Sequence, residues 1–253
     1  MKKTVTVAGM EFGTGLPKVC VPLTSGCELG LLKEARQAAA LPADLYEWRA
    51  DWYRGDAPQA LALLRRELGE KPLLCTLRTQ GEGGQAHLSP AEYEERLATL
   101  VELGGFQLLD IELSCGEERV RRLTALAREK GLGSVVSRHD FQKAPPQEEM
   151  VAVLLRMKAL GADLPKLAVM PQSPEDVLAL LGATLQASRQ IGPVITMAMG
   201  DLGKLSRVCG GLTGSCLTFG AGENASAPGQ LNAEDLRAIL QDLDPRGDSE
   251  RGM

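Results

Sequence analysis

Short apolar runs alternate with longer amphipathic stretches eight times along this chain. The apolar runs fall at residues 18–22, 44–49, 73–78, 106–112, 133–138, 164–170, 193–198 and 215–219. Helical patterns follow them at 28–39, 58–68, 90–103, 117–130, 147–160, 174–186, 202–208 and 233–241. A strand that returns through a helix lies parallel to the strand before it, with the helix covering the sheet. Eight such units in 253 residues predict an α/β protein with the closed (β/α)8 TIM barrel fold. An open doubly wound sheet is the alternative, but no G-x-G-x-x-G follows the early strands to bind a dinucleotide.

The punctuation agrees with this reading. Ser89-Pro90, Ser173-Pro174 and Asn232 each place a capping side chain before a helix start, and Gly104, Gly131 and Gly161 stand at helix ends. Residues 4–7 and 10–14 alternate around Gly9 and predict a short N-terminal β-hairpin closing the bottom of the barrel. No linker or low-complexity segment divides the chain, so 1–253 reads as a single barrel domain. Residues 244–253, charged and containing Gly and Pro, read as a frayed tail.

Charge excludes several partners. The net charge is -5 and no basic patch stands out, which speaks against nucleic acid and anionic membrane. No stretch approaches the roughly 18 apolar residues of a membrane span. The start, Met1-Lys2-Lys3-Thr4-Val5, lacks the apolar run of a signal peptide. Six scattered cysteines, without zinc-ligand or redox spacing, read as reduced side chains packed in a cytoplasmic protein.

Ionisable residues interrupt the apolar strands. Residues two apart on a strand share a face, so Glu47, Arg49 and Asp51 align at one strand end and Asp110 and Glu112 at another. Ser137 and His139 share a face, as do Lys166 and Ala168, and Met197 and Met199. Arg78 closes the third strand, with Glu82 in the loop after it. C-terminal strand ends form one rim of a barrel, where catalytic groups gather. Each residue also has a purely structural reading. Lys166 can snorkel to a rim, His139 can be a satisfied core histidine, Glu47 and Arg49 can be an interior ion pair, and Met197 and Met199 can be packing. His87 reads as a loop residue.

Glu47-Trp48-Arg49-Ala50-Asp51, Arg78 with Glu82-Gly83-Gly84, Ser137-Arg138-His139-Asp140-Phe141, Lys166-Leu167-Ala168 and Ser226-Ala227-Pro228-Gly229-Gln230 resemble type I 3-dehydroquinate dehydratase in order and approximate spacing. The resemblance runs from about Pro17 to Gln230. It implies a (β/α)8 barrel, a homodimer, no metal or organic cofactor, and dehydration of 3-dehydroquinate to 3-dehydroshikimate in the shikimate pathway of aromatic amino-acid biosynthesis. By position it casts Lys166 as the Schiff-base lysine, His139 as the proton carrier and Glu82 as the partner that holds His139. It casts Arg207 as the partner of the substrate carboxylate, Glu47, Arg49 and Arg78 as holding ring hydroxyls, and Ser226 and Gln230 as part of a lid at 220–230. One departure is visible: where some members carry a serine, this chain has Pro22, which leaves only a backbone carbonyl for that contact.

These residue types suit that chemistry. An ordinary lysine, with a pKa of about 10.4, holds only ~0.04% free amine at pH 7. Lowering that value by about three, for about 4 kcal/mol, would free several tens of per cent. Leu167, Ala168 and Val169 are the sequence neighbours expected to desolvate the amine, with nearby arginines pushing the same way. Histidine, with an ordinary pKa of about 6.5, can accept and donate protons near neutrality. Arginine can grip a carboxylate with two parallel bonds. Two alternatives remain at this point: a Schiff-base class I aldolase on the same barrel, and a non-catalytic barrel that binds a small acid.

Overall fold

The barrel wall is built so that one face of every strand meets helices and the other meets the interior. In the computed structural model, which describes residues 3–7, 9–223 and 226–244, the wall strands are β3 (Lys18–Leu23), β4 (Leu45–Arg49), β5 (Leu73–Thr76), β6 (Leu108–Glu112), β7 (Gly133–Asp140), β8 (Leu164–Val169), β9 (Ile195–Ala198) and β10 (Leu217–Ala221). All neighbours pair in parallel, in the order β10-β3-β4-β5-β6-β7-β8-β9. The ring closes between β9 and β10 through a parallel bridge from Val194 to Ser215, where the Cys216 N–H donates to the Val194 carbonyl at 2.8 Å. The Thr196 N–H donates to the Ser215 hydroxyl at 3.0 Å across the same seam. The chain is therefore the (β/α)8 barrel that the alternation predicts.

The helices that return the chain are α1 (Glu28–Ala39), α2 (Ala57–Leu68), α3 (Pro90–Leu103), α4 (Glu117–Glu129), α5 (Gln147–Ala159), α6 (Pro174–Ile191), α7 (Lys204–Val208), α8 (Gly210–Thr213) and α9 (Ala233–Asp242). Ser89 and Ser173 form capping boxes with Glu92 and Asp176, and the Asn232 side chain accepts from the Glu234 N–H. Three details differ from the sequence reading. The third strand ends at Thr76, because Arg78 already belongs to a loop that folds back through the Thr79–Ala86 bridge. The seventh helical stretch is two short helices broken at Cys209. A two-residue strand, β11 (Leu231–Asn232), pairs with β10 and brings residues 226–230 over the barrel mouth. Within the frayed-tail segment only Asp244 is described, and 245–253 lie outside the described residues.

Strand parity sorts the side chains into two layers. Val19, Val21, Tyr46, Trp48, Leu109, Ile111, Val136, Leu167 and Val169 face outward and join the helices in one core. Leu45, Leu74, Leu108, Val135, Leu164, Ile195 and Leu217 face inward and form an apolar floor. A hairpin of β1 (Val5–Val7) and β2 (Met10–Phe12) plugs this floor from below, with Val7 and Phe12 buried in it. The plug sits so close to β7 that a Cβ on Gly133 would lie 1.8 Å from Val7 Cγ1. Gly133→Ala is therefore expected to push the hairpin off the floor and cost about 1–3 kcal/mol, the usual penalty for overpacking. Chemical denaturation measures this, and an unchanged midpoint would show that the plug does not seat there.

Candidate active site

Above the apolar floor the inward positions change character. The same parity that buries Leu45, Leu74, Leu108 and Val135 carries Glu47, Thr76, Asp110 and Ser137 inward one step higher. Lys166 rises from β8 into this ring. It is 3% exposed, and its Nζ lies 3.3 Å from Asp110 Oδ2, 4.0 Å from Glu47 Oε1 and 4.6 Å from the centre of the Phe219 ring. Leu167 and Val169 do not line the amine, contrary to the expectation from sequence adjacency. They point to the helix side of the strand; of the three expected neighbours only Ala168 lines the same cavity, and further apolar surface beside the amine comes from Phe219 on a distant strand.

Arg78 ties the ring together. Its guanidinium reaches Asp110 at 2.8 Å, Glu112 at 2.9 Å, the Ser137 hydroxyl at 3.0 Å and Glu82 at 3.7 Å. Burial would lower its pKa, but the carboxylates outweigh that and raise it well above the ordinary value. Ser137 donates to Asp110 Oδ1 at 2.6 Å. Glu112 also accepts the Thr79 N–H at 2.8 Å and the Thr79 hydroxyl at 2.6 Å, which fixes the start of the loop carrying Glu82. Arg49 is held by a two-point pair with Asp51, both contacts at 2.8 Å. Thr76 donates to Glu47 at 2.8 Å.

His139 stands at the mouth. Its Nδ1 is 2.9 Å from Glu82 Oε2, and the same oxygen accepts the His139 backbone N–H at 3.0 Å. An oxygen already oriented as an acceptor favours Nδ1 as the donor, which leaves Nε2 free to take a proton. Burial, then the charges of Arg78, Lys166 and Arg49, push the imidazole pKa well below its ordinary value. Burial moves Glu82 the other way, up to about 7, against the pull of Arg78. Phe141 stacks on the imidazole with ring centres 6.5 Å apart.

The loop after β10 and the short helix α7 complete the enclosure. Arg207 is 1% exposed and donates to the Pro228 carbonyl at 3.0 Å, while its Nε and Nη1 have no partner among the described residues. Burial pulls this guanidinium down to about 10, so it stays charged at neutral pH. Ser226 and Gln230 bond to each other, the Ser226 N–H donating to Gln230 Oε1 at 2.8 Å. Gly229, at φ +74°, lies so close to the Gly200 carbonyl that a Cβ would approach it to 2.2 Å.

All nine residues singled out in the sequence, Glu47, Arg49, Arg78, Glu82, His139, Lys166, Arg207, Ser226 and Gln230, line one cavity of about 60 Å³, together with Met197, Met199 and Phe219. A larger cavity of about 380 Å³ opens at the opposite end of the barrel among Leu16, Pro17, Pro193 and Leu212, but its cations, Lys3 and Arg189, are exposed. Exposed His87 lies in the loop behind Glu82. Sequence reading placed Asp51, Asp110, Glu112 and Ser137 at strand ends without making them site residues. Their inward parity was the available signal, and only the contacts to Arg49, Arg78 and Lys166 show what they do. The geometry predicts that His139 in the free protein is neutral at pH 7, carries its proton on Nδ1 and titrates below 6.5. Nitrogen NMR of the imidazole tests this, and titration at or above 6.5 would contradict it.

Known proteins resemble this chain over nearly its whole length. A family profile described as "Type I 3-dehydroquinase" matches residues 19–245. A 3-dehydroquinate dehydratase from Syntrophotalea carbinolica is 44% identical over 94% of this chain and 96% of its own length. One from Bacillus velezensis is 43% identical over 95% and 98%. The crystal structure of type I 3-dehydroquinate dehydratase from Clostridium difficile, with covalent modified comenic acid, superposes with a TM-score of 0.92 at 39% identity, covering 96% of this chain and 99% of that one. The chain belongs to the type I 3-dehydroquinase family, and with it to the carbon–oxygen hydro-lyases.

Proposed function

We propose that this cavity dehydrates 3-dehydroquinate to 3-dehydroshikimate through a Schiff base on Lys166, with His139 as the proton carrier. The observation that carries the reading is the convergence, in one cavity, of a buried amine, an imidazole with one free nitrogen and a buried guanidinium with two nitrogens unpaired among the described residues. A buried charged donor without a partner is costly, so the Arg207 site is matched to an anion. The ring acid supplies that anion as its carboxylate. The same reading places the protein in the shikimate pathway, as the names of its relatives suggest.

The reaction then divides among the residues. The Lys166 amine attacks the ketone, water leaves, and an iminium forms. His139 Nε2 takes a proton from the adjacent carbon, and the C–H electron pair flows into the iminium to give an enamine. The enamine expels the ring hydroxyl, which leaves as water with the proton returned by His139. Hydrolysis of the conjugated iminium releases the enone acid and restores the amine. Glu82 holds the imidazole and balances the charge it gains. Glu47, Arg49 and Arg78 face the cavity to receive ring hydroxyls. The segment bearing Ser226 and Gln230 borders the cavity and would exclude water when it closes over the bound ring.

We also read the protein as a homodimer. The exposed Leu178, Leu205 and Leu212 offer apolar surface to a second copy. The six free cysteines suit the cytoplasm, and no helix among the described residues is long and apolar enough to cross a membrane.

Incubation with 3-dehydroquinate should raise the absorbance of a conjugated enone acid. Borohydride added during turnover should label Lys166 in peptide mass analysis, and an unlabelled Lys166 would reject covalent catalysis. His139→Ala should keep the label while losing most of the turnover. Arg207→Ala should raise KM by the equivalent of about 2–5 kcal/mol, the cost of breaking a buried charge pair. An unchanged KM would remove Arg207 from the site.

A further inference from the structure

We infer that Asp110 is the counter-ion of the nitrogen on Lys166, promoting the steps in which positive charge develops there; this rests on the Schiff-base reading above. The carboxylate is 1% exposed, and its two oxygens have different partners. Oδ1 accepts from the Ser137 hydroxyl at 2.6 Å and pairs with Arg78 at 2.8 Å. Oδ2 faces Lys166 Nζ at 3.3 Å. Glu47 is the other carboxylate near the amine, but it is farther away, at 4.0 Å, and borders the cavity where ring hydroxyls would lie. Asp110 is thus fixed from behind and turned toward one atom. Burial alone would push its carboxyl up, but Arg78 and Lys166 outweigh burial and hold it below its ordinary value, so it remains an anion.

An anion fixed at that nitrogen acts on each step with a definite sign. Loss of hydroxide from the carbinolamine creates the iminium cation, and the anion lowers that barrier. Removal of the carbon-bound proton by His139 neutralises the nitrogen, so the anion does not assist it. Expulsion of the ring hydroxyl from the enamine restores the cation as the nitrogen lone pair moves into the C=N bond, and the anion assists again. Electrostatic stabilisation fixed in advance at a developing charge is a large catalytic effect in a dry site. Return of the enamine to substrate restores the same cation, so Asp110 assists both exits of the enamine and acts by stabilising the iminium against the carbinolamine before it and the enamine after it.

The population of the iminium is the readout. The intact protein is incubated with 3-dehydroquinate, and the fraction of Lys166 that borohydride labels at steady state is measured beside product formed. In Asp110→Asn, turnover should fall on the order of 10²-fold, and the labelled fraction should fall at least about tenfold. Ser137→Ala, which frees Oδ1 but keeps the charge, should lower the fraction by less. A disturbance that slows only the later steps would let the iminium accumulate and keep the fraction high. An unchanged or raised fraction in a folded Asp110→Asn protein overturns the inference. If that variant does not fold, Ser137→Ala decides: a lowered fraction supports the inference and an unchanged or raised one overturns it. Absence of label on Lys166 in the native protein defeats the Schiff-base reading itself, whereas native label with an unchanged fraction in the variants defeats only the role of Asp110.

Discussion

Arg78 makes it possible to put this much charge inside a barrel. Glu82, Asp110 and Glu112 are each at most 5% exposed, and each would be strongly destabilising alone. One guanidinium touches all three, and through Asp110 it connects to Lys166. Its fixed fork presents several donors at set angles, which a lysine could not reproduce. The apolar floor below holds the strands, and the outer core holds the helices. The polar storey between floor and mouth depends on this one cation being matched by its carboxylates.

Arg207 shows the opposite arrangement. It is as deeply buried as Arg78, but among the described residues it has no carboxylate partner and bonds only to the Pro228 carbonyl. Evenly distributed carboxylates would have neutralised both arginines and left no anion site. Concentrating them around Arg78 and Lys166 leaves Arg207 a buried cation with no carboxylate partner among the described residues. Its hydrogen bond to the Pro228 carbonyl lies on the segment that carries Ser226 and Gln230, so that segment helps to orient the guanidinium.

The barrel was legible because its signal is repeated eight times and each repeat is self-punctuating. Ser89, Ser173 and Asn232 do in the structure what capping chemistry says they do. Strand ends were less legible. Thr76 to Arg78 reads as one run, yet the ladder stops where the backbone turns to meet Ala86, a contact set by residues ten positions on. In the site, parity alone put Lys166, His139, Asp110 and Glu112 on inward faces, while the likeness to a known family selected which to name. The surroundings of the amine were misjudged because sequence neighbours on a strand point to opposite faces. Leu167 is adjacent to Lys166 in the chain but belongs to the outer core, whereas Phe219, 53 positions away, lies beside the amine. Partners across a closed barrel are set by register and stagger, which no local pattern encodes.

The same charge distribution sets how the site handles protons. Glu82 and His139 are in contact, so they titrate as a pair. Burial lifts the carboxyl to about 7, while burial and three cations depress the imidazole. On acidification the first proton therefore goes to the carboxyl, and the imidazole keeps its free Nε2. Protonation at Glu82 Oε1 leaves Oε2 still able to accept from Nδ1, so the ring does not turn. What is lost is the negative charge that would balance an imidazolium. Burial is the first cause of both shifts, and the second is Arg78, which lowers both groups. Arg78 adjoins Glu82 closely enough to restrain the rise of the carboxyl, and it repels a proton from the imidazole beyond. Burial and this cation together depress the imidazole, and the same cation restrains the rise of the carboxyl that holds it.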